Sequence, residues 1–213
     1  FALITRAGVQ PGENVLITGA SGAAGMAAVQ MAKLLGATVI ATGRSERKLA
    51  MVKAYGADHV ITTLGADEGD GVCRFREDVK ACTRGEGVDV VYDTVGGDVG
   101  HEALRSLAFG GRFLVIGWAS NTLKCGGREA FVPDQLPTNI IQMKCLQVMG
   151  SPMVIYSMLH PEFRAAQLQQ ILIWAEEGKL RPHVSHRFPL DAFRDAANAK
   201  LEGKVIGSCV LNP

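Results

Sequence analysis

The chain has 213 residues, with 22 Lys and Arg against 21 Asp and Glu, for a formal net charge of +1. Hydrophobic residues at 47% and charged residues at 20% suit one large folded domain or two small ones, and exclude disorder as the main state. The charge balance lacks the basic excess of a nucleic-acid binder, and no apolar run approaches the roughly 18 residues that span a bilayer, so neither nucleic acid nor membrane is an expected partner.

Short apolar runs alternate with amphipathic stretches. Residues 14–18 read as a buried strand, followed by small residues and an apolar-periodic helix over 26–35. A second strand at 38–42 leads to a helix over 45–54, and a short strand-like run covers 59–62. A polar, glycine-containing segment at 64–71 precedes a helix over 75–83. Two more strands, 88–92 and 112–116, flank a helix over 99–108. Gly36, Gly56 and the Gly110-Gly111 pair each follow a predicted helix, where a left-handed residue closes the last turn. Continuous apolar strands separated by helices indicate βαβ units and a parallel sheet covered on both faces. The expected fold class is α/β, a Rossmann-type doubly wound parallel sheet of about six strands.

Beyond Gly117 the regularity weakens. Residues 118–138 hold Pro and Gly with few periodic apolar positions and read as a long loop. A sixth strand is expected at 145–149 and a long amphipathic helix at 161–177, ended by Gly178. Strand, helix and strand follow at 183–188, 191–200 and 205–211. Cys73, Cys82, Cys125, Cys145 and Cys209 form no C-x-x-C pair and read as free thiols of a reducing compartment, which favours a cytoplasmic location. The histidines do not fall into metal-ligand spacing: His101-Glu102 lacks the second His of H-E-x-x-H, and His183 and His186 would point to opposite faces of a strand. No metal is expected.

The sharpest motif is Gly19-Ala-Ser-Gly-Ala-Ala-Gly25, set between a strand and a helix. Small residues there let the backbone turn tightly and approach a pyrophosphate, while the helix N-terminus supplies N–H groups and partial positive charge. A Walker A loop fails on spacing, since Ala24-Gly25-Met26 stands where Gly-Lys-Ser/Thr is needed. The short-chain dehydrogenase turn meets Ala23 at its middle glycine, and no Tyr is followed four places on by Lys. At the end of the second strand, where NAD sites place a carboxylate for the ribose, the chain has Gly43-Arg44-Ser45, with Lys48 one turn on. Removing the carboxylate and adding cations favours a 2′-phosphate, hence NADP(H) over NAD. Two further loops, at 93–97 and 117–120, end parallel strands and are candidate cofactor contacts.

Taken together, these motifs resemble the medium-chain dehydrogenase/reductases, in the zinc-independent quinone oxidoreductase (zeta-crystallin-like) branch. The likeness is carried by the lead-in AGVQPGE at 7–13, the glycine loop, YGADHVI at 55–61, GEGVDVVYDTVGG at 85–97, GGRFLVIG at 110–117, GKLRPH at 178–183 and GKV at 203–205. The resemblance implies that residues 1–178 form the NADP-binding domain. It implies that 179–213 pack back onto a preceding GroES-like catalytic domain which the chain does not contain. It assigns the pyrophosphate to Ser21, Gly22, Ala23, Ala24 and Gly25, the 2′-phosphate to Gly43, Arg44 and Lys48, and the groove toward the nicotinamide to Val95, Gly96, Gly117 and Ala119. The implied reaction is hydride transfer from NADPH to a quinone or α,β-unsaturated carbonyl, with no catalytic residue assigned within this chain. A zinc alcohol dehydrogenase, an enoyl-thioester reductase and a non-catalytic nucleotide-binding module remain alternatives. Ala23-Ala24 and Thr62-Thr63 depart from the branch, which often has Gly-Val and a Tyr there. The resemblance also implies a homodimer through the edge strand at 145–149 or the following 153–156.

Overall fold

The computed structural model describes residues 1–64, 74–122 and 134–213. Six strands run parallel: β1 (Asn14–Ile17), β2 (Thr38–Gly43), β3 (His59–Thr62), β4 (Val88–Asp93), β5 (Leu107–Val115) and β6 (Gln147–Gly150). Their order is β3-β2-β1-β4-β5-β6, so the chain steps outward one way from β1 and the other way from β4. That reversal is where an open α/β sheet forms its binding crevice, at the carboxyl ends of the strands. The doubly wound α/β architecture expected from the sequence is present.

Successive side chains of a strand point to opposite faces. Val15 and Ile17 of β1 therefore join one apolar layer and Leu16 the other; β2 divides the same way, Val39 and Ala41 against Ile40. The first layer is completed by α1 (Ala23–Leu34) and α2 (Glu46–Ala54), which bring Met26, Ala28, Val29, Ala32 and Val52. The second is completed by Phe75, by Val79 of α3 (Arg76–Cys82) and by Ala103 and Leu104 of α4 (Gly97–Arg105). With both faces covered, neither needs polar residues, which is why these strands read as unbroken apolar runs. A π-helical turn at Ala2–Arg6 adds Leu3 to the first layer. Arg112 of β5 ties the lead-in down, pairing with Glu13 and donating to Ala7 O at 2.5 Å.

Several local expectations need correction. The helix expected over 99–108 is α4, ending at Arg105, and β5 begins at Leu107. Gly110 and Gly111 thus lie inside a strand rather than after a helix, next to a break in the β4–β5 register, although Gly110 takes positive φ (+77°) as Gly36 and Gly56 do behind α1 and α2. The segment 118–138 is not all loop, since α5 (Ala119–Thr122) and α6 (Thr138–Met143) bracket it. Cys145 takes φ +53°, and β6 starts two residues later. Residues 153–156 belong to α7 (Met153–Leu159), which removes them as an edge strand.

The long helix α8 (Pro161–Glu176) follows, then β7 (Val184–Pro189), α9 (Phe193–Leu201) and β8 (Ser208–Asn212). β7 and β8 pair in parallel as a separate two-stranded sheet, with β8 starting three residues later than the sequence suggests. Of the predicted polar segment 64–71, residues 65–71 lie outside the described residues, as do Cys73 and Cys125.

Phe113 is 1% exposed and fills the second layer from β5. Phe113→Ala is expected to cost about 3–5 kcal/mol, read as a lower urea midpoint with an unchanged denaturant slope.

Candidate dinucleotide site

Thr18 ends the first strand and opens the glycine loop. Ala20 N donates to Thr42 O at 3.0 Å and Gly22 N to Gly19 O at 3.0 Å, so the loop folds back across the ends of β1 and β2. Two of its glycines serve different physical ends. At Gly25 an added Cβ would lie 2.5 Å from Gly19 O and 2.6 Å from Ala20 Cα, so α1 can pack this close to the loop only without a side chain. At Gly22 the backbone is ordinary (φ −77°, ψ 169°) and a Cβ would meet only Gly19 O at 3.4 Å. Nothing within the fold requires a glycine at 22, and the space it leaves open is on the outside.

Gly22 is the N-cap of α1, and no side chain caps that end. The first-turn N–H groups of Ala23, Ala24 and Gly25 have no intrahelical acceptor by the geometry of the helix. Gly22, Ala23 and Ala24 are exposed. An uncapped helix end aimed at an open space beside a residue whose missing side chain the fold does not use fits a bound phosphate group.

Asp93 joins this loop to the next two. Its carboxylate is 2% exposed and accepts from Thr18 Oγ1 at 2.5 Å, Val95 N at 3.1 Å and Gly96 N at 3.1 Å. Thr18 in turn accepts from Thr94 N at 3.0 Å, and its carbonyl accepts from Thr94 Oγ1 at 2.9 Å. The backbone continues the lacing: Ile116 N and Gly117 N donate to Asp93 O, Ala119 N to Thr94 O and Ser120 N to Val95 O. The loops after β1, β4 and β5 are thereby one hydrogen-bonded unit, which brings Val95, Gly96, Gly117 and Ala119 to the same edge as Ser21 to Gly25. Burial raises the Asp93 carboxyl above the usual range, the three donors pull it back, and Asp134 pushes it up again. Two buried hydroxyls at this edge, Thr42 Oγ1 and Ser120 Oγ, have no partner among the described residues.

Gly43 closes β2, and its carbonyl accepts from Thr63 N at 2.9 Å. Ser45 caps α2, its Oγ accepting from Lys48 N at 3.5 Å, and Arg44 is exposed just before it. Lys48 does not extend into the open. Its ammonium donates to Gly203 O and, at 2.9 Å, to Val205 O. Burial lowers the Lys48 pKa, with Arg47 and Arg44 repelling its charge as well. Gly207 N donates to Ser21 O at 2.8 Å and pairs with Gly22 as an isolated bridge. The turn at 203–207 is therefore held against the glycine loop from both sides.

All twelve residues singled out from the sequence lie along the carboxyl edge of β1, β2, β4 and β5. Sequence reasoning flagged the loop that begins at Asp93 but missed the role of its carboxylate, with Thr18, in assembling the edge, and missed the carbonyl partners of Lys48. Alternation gave a signal for the first pair: Thr18 and Asp93 are polar residues at the ends of otherwise apolar runs. Nothing local pointed to Gly203 and Val205, which lie about 155 residues from Lys48.

Residues 23–167 match the family described as zinc-binding dehydrogenase. The chain belongs to that family. Within it, the chain is the cofactor-binding part of a medium-chain dehydrogenase/reductase, a superfamily whose cofactor is a nicotinamide dinucleotide. It is 35% identical over 211 residues to quinone oxidoreductase-like protein 2 of Bos taurus, covering 97% of this chain and 56% of that protein. It is 31% identical over 209 residues to an acryloyl-coenzyme A reductase of Sulfurisphaera tokodaii, 97% of this chain and 52% of the relative. Among solved structures, a mycobacterial protein complexed with NADPH superposes with a TM-score of 0.82 at 27% identity, over 100% of this chain and 60% of that one. The chain thus spans little more than half the length of the curated relatives it matches. Among the described residues, no three His, Cys, Asp or Glu side chains converge to hold a metal ion, so these residues do not fit the zinc of the family's name.

Thr18→Val removes a donor to Asp93 and the acceptor of Thr94 N, and is expected to cost about 1–3 kcal/mol at neutral pH. A carboxyl whose folded pKa is raised opposes folding once ionised, and losing its donor raises that pKa further. The cost of Thr18→Val should accordingly be largest above the raised pKa and shrink as pH falls through it, measured by urea unfolding at a series of pH values.

Proposed function

We propose that the protein supplies the NADPH site of an oxidoreductase that delivers hydride to a quinone or an α,β-unsaturated carbonyl. The observation that carries the choice of NADPH is the end of β2. Gly43 stands where a ribose carboxylate would repel a 2′-phosphate, and Arg44, Arg47 and Lys48 crowd beside it with mutually repelling charges. A dianionic phosphate relieves that repulsion, and the fork of Arg44 suits bidentate contact. In this reading the α1 N-terminus at Ser21 to Gly25 binds the pyrophosphate, and Val95, Gly96, Gly117 and Ala119 line the way to the nicotinamide. The cofactor supplies the hydride, while this chain binds and orients it through loops held rigid by Asp93.

The acceptor is a conjugated carbonyl in either of two forms. Similarity to a quinone oxidoreductase-like protein supports a quinone, and similarity to an acryloyl-coenzyme A reductase supports an enoyl thioester. Both accept hydride at one end of a conjugated system and a proton at the other. The catalytic partner domain is proposed to lie against the far half of the chain. α7 and α8 bury no residue and expose Val154, Ile155, Met158, Leu159, Leu168 and Leu172, more apolar surface than a lone domain usually leaves bare. Residues 179–213 would bridge the two halves, since their turn at 203–207 already rests on the glycine loop.

A homodimer through β6 is part of the same proposal. β6 ends the sheet order, three of its four residues are exposed, and an open edge strand invites pairing.

Calorimetric titration is expected to show NADPH binding at least tenfold tighter than NADH, about 1.4 kcal/mol, with the preference lost in Arg44→Ala. Equal affinities would overturn the NADPH assignment. Size-exclusion chromatography at micromolar concentration is expected to give twice the chain mass, falling to the monomer in Val148→Lys, whose charge lands on the edge strand. A wild-type monomer would refute the dimer.

A further inference from the structure

A second crevice lies at the opposite end of the sheet from the glycine loop. It has a volume of about 280 Å³ and is lined by Arg76, Arg105, Ile140, Met143 and Lys144. Its position follows from the chain path: Arg105 ends α4, Leu107 starts β5, and Lys144 leads into β6, so the crevice sits at the amino-terminal ends of β5 and β6. The dinucleotide loops are all at the carboxyl ends, and the crevice shares no residue with them.

Its charges are one-sided. Lys144 is held in place by its ammonium, which donates to Arg105 O at 2.7 Å and Leu107 O at 2.6 Å. Burial lowers its pKa, and repulsion from Arg76 and Lys80 lowers it further. Lys80 is balanced by Glu77 at 3.0 Å. Arg76 and Arg105 have no carboxylate partner among the described residues. Glu102 is near, but its Oε1 accepts from the backbone N of Arg76 at 3.2 Å and makes no ion pair with the guanidinium. Arg76 Nε is buried, and no described residue accepts from it.

We infer that this crevice is a binding site for a short aliphatic carboxylate, its head on the guanidinium groups of Arg76 and Arg105 and its chain on Ile140 and Met143. The head is a carboxylate because a planar oxyanion matches the guanidinium fork of the two arginines, which have no carboxylate partner among the described residues. The body is hydrocarbon because the remaining lining is Ile140 and Met143, and it is short because the volume falls at the small end of ligand sites. Binding there would act on the packing of α3, α4 and α6 rather than on the cofactor.

The test is calorimetric titration at low ionic strength with sodium hexanoate, 1-hexanol and inorganic phosphate in turn. Hexanoate should bind saturably and at least fivefold more tightly than either comparator. Arg105→Gln, an exposed position, and Arg76→Gln should each weaken hexanoate at least fivefold, while the remote exposed Arg194→Gln leaves it unchanged. Circular dichroism on each variant establishes that it is folded. Equal binding of hexanol would reduce the crevice to an apolar patch, and equal binding of phosphate to a charge cluster. Either result, or the absence of saturable hexanoate binding, or indifference to Arg105→Gln, would overturn the inference.

Discussion

A carboxylate shut away from water at the end of β4 organises the functional edge of this protein. Asp93 is 2% exposed, and burial alone would make its charge untenable. The Thr18 hydroxyl and the N–H groups of Val95 and Gly96 offset that cost, and those donors come from two parts of the edge, the exit of β1 and the turn after β4. Satisfying one buried charge therefore fixes the exit of β1, the turn after β4 and, through the Asp93 carbonyl, the exit of β5. A ligand that lies across several strand ends needs those loops in fixed register, and a single buried acceptor supplies it.

The glycine loop is the second constraint, and it works through absence of side chains. Gly25 allows α1 to press against Gly19 and Ala20, so the helix N-terminus points into the crevice. Gly22 faces outward with room to spare, a feature without value to the apo fold. The turn at 203–207 then closes on the same loop from the C-terminal side. Lys48 grips its carbonyls and Gly207 pairs with the loop, so the α2 cation cluster, the glycine loop and the turn at 203–207 form one mechanical unit. Any anion that draws Lys48 toward it acts on that turn as well.

The two halves of the molecule differ in how far they are covered. The layers around β1 to β5 are sealed, with Phe113, Leu114 and Leu104 at 1% exposure or less. In α7 and α8 no residue is buried, and large aliphatic side chains face outward. An isolated domain with that composition would be expected to fold these helices inward.

Most of the architecture was legible because it rests on periodicity. Unbroken apolar strands, amphipathic helices and glycines at turns are local signals, and they identified the parallel sheet, its two covered faces and the loop 19–25. The errors came where local signals compete. Gly110 and Gly111 read as the close of a helix, but pairing with β4 extends β5 back through them to Leu107. The run at 153–156 is apolar enough for a strand, yet it forms the helix α7. By itself the sequence determined the fold class, the glycine loop between β1 and α1 and the absence of a carboxylate at the end of β2, because each depends on residues close together in the chain. Only the tertiary structure decided that Asp93 unites three loops, that Lys48 holds the C-terminal turn and that Arg76, Arg105 and Lys144 share a crevice. Those groups are tens to more than a hundred residues apart, and their meeting depends on how strands and helices pack.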